Sequence, residues 1–337
     1  LERELRKMLE DLCNLCGISG YEKEIIEYIT TKLKENHIEY QVDKLGNIIV
    51  KQGENPDKIA LFAHMDEVGG IVRGITEAGH LKFASVGGII DEILLSSSVL
   101  IGENKVNGVI GNIPKHLKEK KEDTPIKIED LFIDIGAFSK ENAMELVKVG
   151  DPIFFNSKYI EFGDEQIKAK ALDNRVGVCV ILKILLEKKY SITAYFTTRE
   201  EIGLIGAKII SNHIKARYAL ILETTTCADM PKSSQPSTIL GQGVALSILD
   251  NASVSNKAWN EKIIEIAEKN NIKFQYKLTT KGGNDAGVIA YYNGGTKTAV
   301  LSLPGRYIHS PVSVISKSDY RAMEELVEKI LEECEYE

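Results

Sequence analysis

Leu5, Leu9, Leu12 and Leu15 recur at helical spacing, which predicts an amphipathic helix at the start of the chain. A second helix is expected over Ile25, Ile26, Ile29 and Leu33, with Ser19 as its N-cap. The period then shortens. Ile48 to Val50 and Ile59 to Phe62 read as short buried strands, and the second delivers His64 and Asp66 at its C-terminal end. After about residue 68 glycines become frequent and long helical patterns vanish. Val99 to Ile101, Val106 to Ile110 and Pro152 to Phe155 are expected as strands of a small β-rich unit. The lysine-rich stretch Pro114 to Thr124 is expected as an exposed loop.

Helix and strand alternate again from Asp173. Helices are expected over Val176 to Leu186, Leu204 to Ile214, Glu261 to Ala267 and from Ser318 onward. Strands are expected over Ile192 to Phe196, Tyr218 to Leu222 and Ala299 to Leu303. Such alternation implies an α/β layer fold with a parallel or mixed sheet, here split by a β insertion.

Composition narrows the function classes. The chain has 337 residues, 43% hydrophobic and 27% charged, the balance of a globular protein. A net charge of -7 argues against nucleic-acid binding, which needs a basic face. No apolar run approaches the roughly 20 residues of a membrane span. Leu1 to Leu12 lacks the apolar core of a signal peptide, so the expected location is the cytoplasm. The five cysteines are odd in number and scattered, which disfavours a disulfide framework. Cys13 and Cys16 have metal-site spacing but no second pair, and packing roles are expected for both.

The chemistry lies in four fragments, each following a short apolar run: Ala63-His64-Met65-Asp66, Ala171-Leu172-Asp173-Asn174, Arg199-Glu200-Glu201 and Tyr307-Ile308-His309-Ser310. They supply two imidazoles and several carboxylates, the donors that a pair of divalent cations needs. Asp66 is placed to fix the His64 ring, since a metal-bound imidazole donates its other N–H to a carboxylate, or His64 is a solvated strand-end residue and Asp66 faces a turn. Asp173 has two oxygens that can face two cations, or it caps the helix that follows. Glu200 and Glu201 can divide into a proton acceptor and a ligand, or can simply open a helix. Glu223 ends a strand and can be a fifth ligand, and His309 sits in a loop stiffened by Pro311. Mixed nitrogen and oxygen donors suit zinc, cobalt or manganese better than calcium.

The chain resembles the tetrahedral aminopeptidase family, which includes glutamyl, lysyl and deblocking aminopeptidases. The likeness runs end to end. Besides the four fragments it includes Ser19-Gly20-Tyr21-Glu22, Gly46-Asn47, Gly282-Gly283-Asn284-Asp285-Ala286-Gly287 and Arg306-Tyr307-Ile308-His309-Ser310-Pro311. The resemblance implies two divalent ions per subunit, zinc or cobalt with manganese as a third option. His64 and Glu223 would hold one ion, Glu201 and His309 the other, with Asp173 between. It further implies Glu200 as general base, Asp66 as the residue orienting His64, and a cis peptide bond before Asn174. With the hydrophobic pattern, it implies an α/β/α sandwich catalytic domain at 1–67 plus 167–337. This domain would be interrupted by a β-rich, barrel-like dimerisation domain at 68–166. Dimers would build a tetrahedral dodecamer that admits short peptides.

Two positions depart from the family pattern: Glu223 stands where many relatives have Asp, and Ile205 where they often have Arg. Three other readings stand beside aminopeptidase: a metal-dependent deacylase of small N-acyl compounds, a glycoside hydrolase and a non-catalytic assembly scaffold. The pocket that selects the N-terminal residue is expected near Gly241 to Asn251 and Gly282 to Asp285.

Overall fold

A computed structural model describes residues 2–114, 117, 125–233 and 238–335. Helices α1 (Glu2–Asn14) and α2 (Lys23–Glu35) lead into β1 (Gln41–Val42), β2 (Ile48–Gln52) and β3 (Ile59–His64). Six strands follow, β4 (Gly69–Ile75), β5 (Leu81–Val86), β6 (Ser98–Ile101), β7 (Val106–Asn112), β8 (Leu131–Asp134) and β9 (Pro152–Phe155). Helix α3 (Lys140–Leu146) lies between the last two. The chain returns through β10 (Ile160–Phe162), β11 (Gln166–Ala169), α4 (Leu172–Glu187), β12 (Ile192–Thr197), α5 (Ile205–Ile210) and β13 (Tyr218–Thr226). It finishes with β14 (Val244–Ser247), α6 (Lys257–Lys269), β15 (Phe274–Lys277), α7 (Ala286–Ile289), β16 (Lys297–Arg306), β17 (Ser313–Ser316) and α8 (Lys317–Glu335).

These elements form two bodies of structure. The large mixed sheet runs β1-β2-β12-β3-β13-β16-β17-β11-β10, with β14 joined to β16 and β15. Its centre is parallel, β12 beside β3, β3 beside β13 and β13 beside β16. Apolar residues of α1, α4, α6 and α8 cover one face. Ile210, Ile214 and Ile289 cover the other over Ala60, Phe62 and Val300. A sheet covered on both faces explains why β3 and β12 are buried at every position instead of alternating. The six strands β4 to β9 close an antiparallel barrel with its own apolar core, including Val72, Leu81, Val99, Ile110, Ile133 and Ile153.

The first helix ends at Asn14, so Leu15 and Cys16 lie just beyond it. Ser19 is not a helix cap: Glu22 occupies that position before α2, without a side-chain cap bond. The Ser19 hydroxyl donates instead to Asp66 at 2.6 Å, a buried tertiary bond that local spacing cannot reveal. The helix expected over Leu204 to Ile214 is α5 followed by a 3₁₀ turn at Ser211–His213. Gly206 lets α5 approach the sheet, because a β-carbon there would lie 2.4 Å from the Thr198 carbonyl oxygen. All five cysteines are buried, and none forms a disulfide. Apart from Pro114 and Leu117, the stretch Pro114 to Thr124 lies outside the described residues. Among those described, no helix is long and apolar enough to cross a membrane.

Candidate metal centre

Parallel strands end together, and side chains leaving their C-terminal ends meet in one crevice. The register sets Thr197 of β12 opposite His64 of β3, and Ile221 of β13 opposite Phe62. Two residues on along β13, Glu223 therefore emerges beside His64. Glu200 and Glu201 follow in the turn after β12, Asp173 enters at the start of α4, and His309 arrives on the loop after β16. The backbone of α4 departs from helical geometry at Asp173 and Asn174, and the peptide bond between them is cis. Asn174 holds this start with its own side chain, donating to the Leu222 carbonyl and accepting from the Gly177 amide. Ala171, Arg199, Tyr307 and His309 all lie in the left-handed region, so strained backbone gathers in the turns that carry the candidate donors.

The five proposed donors form two clusters that share Asp173. Ligand atoms of His64, Asp173 and Glu223 lie within 4.8 Å of one another, as do those of Asp173, Glu201 and His309. A third grouping, of His64, Glu200 and Glu201, meets the same limit. In the first cluster His64 Nε2 stands 3.4 Å from Asp173 Oδ1 and 3.7 Å from Glu223 Oε2. In the second, His309 Nε2 stands 3.3 Å from Asp173 Oδ2 and 3.5 Å from Glu201 Oε1. The other ring nitrogens face carbonyls, His64 Nδ1 the Asp66 carbonyl at 3.2 Å and His309 Nδ1 the Gly88 carbonyl at 3.0 Å. A carbonyl only accepts, so each Nδ1 carries hydrogen and each neutral ring turns its Nε2 lone pair toward carboxylates. That arrangement is repulsive unless a proton or a cation lies between. The gaps exceed the 2.7–2.9 Å of a direct charge-assisted bond. Asp173 Oδ1 is buried without a hydrogen-bond partner, as is Asp285 Oδ1 nearby.

Titration behaviour reports the same excess of negative charge. Burial drives the Glu200 carboxyl well above its usual range, with Glu223, Asp285 and Glu201 adding repulsion against the pull of His64. Burial also pushes Glu201 up to about 8, helped by Asp173 and Asp66. Burial raises Glu223, and it raises Asp285 to about 7 although the Thr197 hydroxyl donates to it at 2.7 Å. Both imidazoles hold protons more tightly than usual: the surrounding carboxylates outweigh burial, taking His309 up to about 10 and His64 well upward. Only Asp173 and Asp66 are depressed, because hydrogen bonds and charge from the imidazoles overcome their burial. Almost every group in the pocket is shifted in the direction that takes up positive charge.

Asp66 sits behind this ring as its tie point. It accepts from Ser19 Oγ and from the backbone amides of Glu200 and Glu201, at 2.6, 3.0 and 3.2 Å. Its carboxylate is 3.6 Å from His64 Nδ1, farther than its own carbonyl, so the His64 ring faces Asp66 through two different oxygens. No local pattern announces the Gly88 carbonyl, which comes from the loop after β5, or the placement of Asp285. The centre opens into a cavity of about 720 Å³. Its walls include Gly282 and Gly283 but no residue from Gly241 to Asn251; Thr224 to Ala228 and Lys277 to Lys281 stand there instead. The expected segment misses because β14 lies inside the sheet, buried throughout.

A family model described as M42 glutamyl aminopeptidase matches residues 46–326. A protein of Acetivibrio thermocellus carrying a provisional aminopeptidase name is 37% identical over 98% of this chain and 99% of its own length. The Pyrococcus horikoshii TET1 peptidase, which can assemble into a tetrahedron or a large octahedral shell, superimposes with a TM-score of 0.87 at 35% identity. That alignment covers 97% of this chain and 99% of the peptidase. A TET aminopeptidase from a marine sediment archaeon of the Thaumarchaeota gives a TM-score of 0.92 at 31% identity, over 97% of this chain and 96% of the other.

Proposed function

The chain belongs to the M42 glutamyl aminopeptidase family and is a peptidase, and from that premise we propose a two-metal aminopeptidase that removes N-terminal residues from short peptides. The observation that carries the reading is the shared carboxylate: Asp173 turns one oxygen to each imidazole, at 3.4 and 3.3 Å. The donor set fits two divalent ions, because both Nε2 lone pairs and the partnerless Asp173 Oδ1 converge where positive charge is missing. His64 and Glu223 would hold one ion, Glu201 and His309 the other, with Asp173 in common. Zinc, cobalt or manganese suits these donors. Bound there, the pair would supply acidity to a water molecule and polarise the scissile carbonyl.

The chain's own residues do the rest. Glu200 lines the cavity with a half-buried side chain, placed to accept a proton from the attacking water and return it to the leaving amine. Asp66 holds the Glu200 and Glu201 amides and so sets where both side chains begin. The Asp66 and Gly88 carbonyls fix the imidazole tautomers that leave each Nε2 free for a cation. The acidic wall of the cavity suits the free amine of a peptide N-terminus, which limits cutting to the first residue.

The reading extends to organisation. Residues 1–67 and 167–337 form the catalytic domain, and 68–166 form the dimerisation domain, from which dimers build a tetrahedral dodecamer. Phe138, 93% exposed, with Met144 and Val149, gives the insertion an apolar surface suited to contact between copies. Five buried cysteines without a disulfide suit the cytoplasm.

The test strips the protein with a chelator and restores zinc, cobalt or manganese separately. Free amino acid should be released from short peptides only after metal is restored, and acetylating the peptide N-terminus should stop release. Metal-independent cleavage would overturn the reading, and faster cleavage of the acetylated peptide would make the chain a deacylase. Light scattering tests the dodecamer, which fails if the mass is that of a monomer or dimer.

A further inference from the structure

The turn that carries Glu200 and Glu201 leads from the end of β12 to α5, and its backbone is held from outside. Four successive amides, those of residues 198 to 201, each donate to a side-chain oxygen of a distant segment. The Thr198 amide and hydroxyl reach Asn47 Oδ1 at 2.9 and 3.1 Å. The Arg199 amide reaches Glu22 Oε1 at 3.1 Å, and the last two amides reach Asp66. The carbonyls are met locally instead: amides of residues 203 to 206 donate to those of Thr198, Arg199 and Glu200.

Glu22 is the least expected of these acceptors. It holds the N-cap position of α2, where a side chain ordinarily accepts from its own helix, yet it makes no cap bond. Only 4% of its surface is exposed. Its Oε1 accepts the Gly20 amide at 2.8 Å and, across 177 positions of sequence, the Arg199 amide. Taking a carboxylate out of water is costly, and here the return is a bond between the N-terminal segment and this one turn. Arg199 needs such a hold. Its φ of 55° puts a non-glycine residue in the left-handed region, which persists only where the surroundings over-determine it. Freed of Glu22, Arg199 would relax toward ordinary backbone and re-aim the peptide unit that joins it to Glu200.

We infer that Glu22 is a positioning residue: through the Arg199 amide it holds the strained joint from which Glu200 projects toward the centre. The inference rests on the reading of Glu200 as proton acceptor. Glu22 itself is not part of the cavity wall and belongs to neither metal cluster. Asp66 fixes the two amides after the joint and Glu22 the one before them, so the two carboxylates act on successive links of one turn. Without Glu22 the Arg199 amide loses its acceptor. A shift of about 1 Å in a reacting group costs on the order of a hundredfold in rate.

The experiment pairs Glu22→Met, which keeps the length and loses the acceptor, with Glu22→Gln, which keeps an acceptor oxygen. Both are loaded with zinc, bound metal is counted, and kcat and KM are measured on a short peptide. Glu22→Met should lose roughly tenfold to a hundredfold in kcat with little change in KM, and Glu22→Gln should recover most of it. Combined with Glu200→Gln, Glu22→Met should cost almost nothing further, because no proton acceptor is left to misplace. The same fractional loss in both backgrounds would make Glu22 merely structural and overturn the inference. Hydrogen exchange of the metal-free protein gives a reading independent of turnover. Glu22→Met should speed exchange over residues 198 to 201 and leave β3 and β13 as in the wild type. Faster exchange throughout the chain, or none in the turn, overturns the inference. Glu22→Ala, which lets water reach the freed amides, replaces Glu22→Met if that variant does not fold; failure of both to fold overturns the inference as well. Full turnover in a folded Glu22→Met removes Glu22 and leaves the aminopeptidase reading standing. A wild type that cleaves no peptide sinks that reading, while the exchange measurement still reports on the contact.

Discussion

Two buried ionic clusters lie side by side, built from residues adjacent in sequence. Asp66 belongs to one and Glu67 to the other; Asp173 belongs to the first and Arg175 to the second. In the second, Glu67 accepts from Lys170 at 2.6 and 2.9 Å, from the Gly17 amide at 3.0 Å, and from Arg175 at 3.4 Å. Lys170 and Arg175 spend further donors on the carbonyls of Leu15, Leu12 and Gly17. The carboxylate there meets two cations, backbone carbonyls take up further donors of both, and the cluster staples the end of α1 to the barrel entrance and α4. The first cluster gathers Asp66, Asp173, Glu200, Glu201, Glu223 and Asp285 around two imidazoles, and several of these carboxylates are forced upward in pKa. Burial alone does not mark a functional site. Crowded like charge does, because folding has kept carboxylates together that only something from outside can neutralise.

Asp173→Asn breaks the contrast most severely. One cluster receives an amide NH2 in place of an oxygen and the other a neutral amide oxygen, so metal analysis of the variant should find both ions lost and activity below detection. Retention of both ions would refute the shared role. Next in size, Glu200→Gln should keep two ions and lose about 10²- to 10⁴-fold in turnover, as expected for removing a proton acceptor. A variant with full turnover removes Glu200 from the chemistry. The closed cluster should answer in a different currency. Lys170→Met leaves Glu67 short of its nearest cation and should cost about 3 kcal/mol in urea unfolding, by the same amount with and without a chelator. A cost that metal restores would make the two clusters one system.

The smallest effect is in proton linkage. Glu201, raised to about 8, and His309, raised to about 10, must lose protons before they ligate. At neutral pH the stripped centre therefore holds protons that an incoming cation displaces, and affinity rises with pH. It should change by up to about tenfold per pH unit for each proton released, the slope easing once Glu201 has titrated near 8 and again once His309 has titrated near 10. Calorimetry in two buffers of different ionisation enthalpy reads the count. A pH-independent affinity would mean that the clusters are already deprotonated.

Period and punctuation made the sheet legible. The runs ending at Phe62, Phe196 and Leu222 are too short and too uniformly apolar for helices, and all three are central strands. The donors could be named because each sits at such a strand end or in the turn beyond it. The barrel was legible only as a β-rich interval, because closure depends on pairings between β4 and β9 that no local pattern records. Ser19 carried the chemistry of a cap, and tertiary structure reassigned it to Asp66. Lys277 shows the same limit in reverse. A lysine ending a short strand resembles a solvated edge residue, and only the neighbouring β14 reveals that it is buried.

The Gly88 carbonyl that holds the His309 ring comes from the loop following β5. The insertion is consequently not a detachable accessory hung on a self-sufficient enzyme. Excising it and splicing the flanking strands would leave the His64 half of the centre intact and free the other imidazole to rotate and change tautomer. A shortened chain would need a new acceptor for that nitrogen before its second imidazole could be held as it is here.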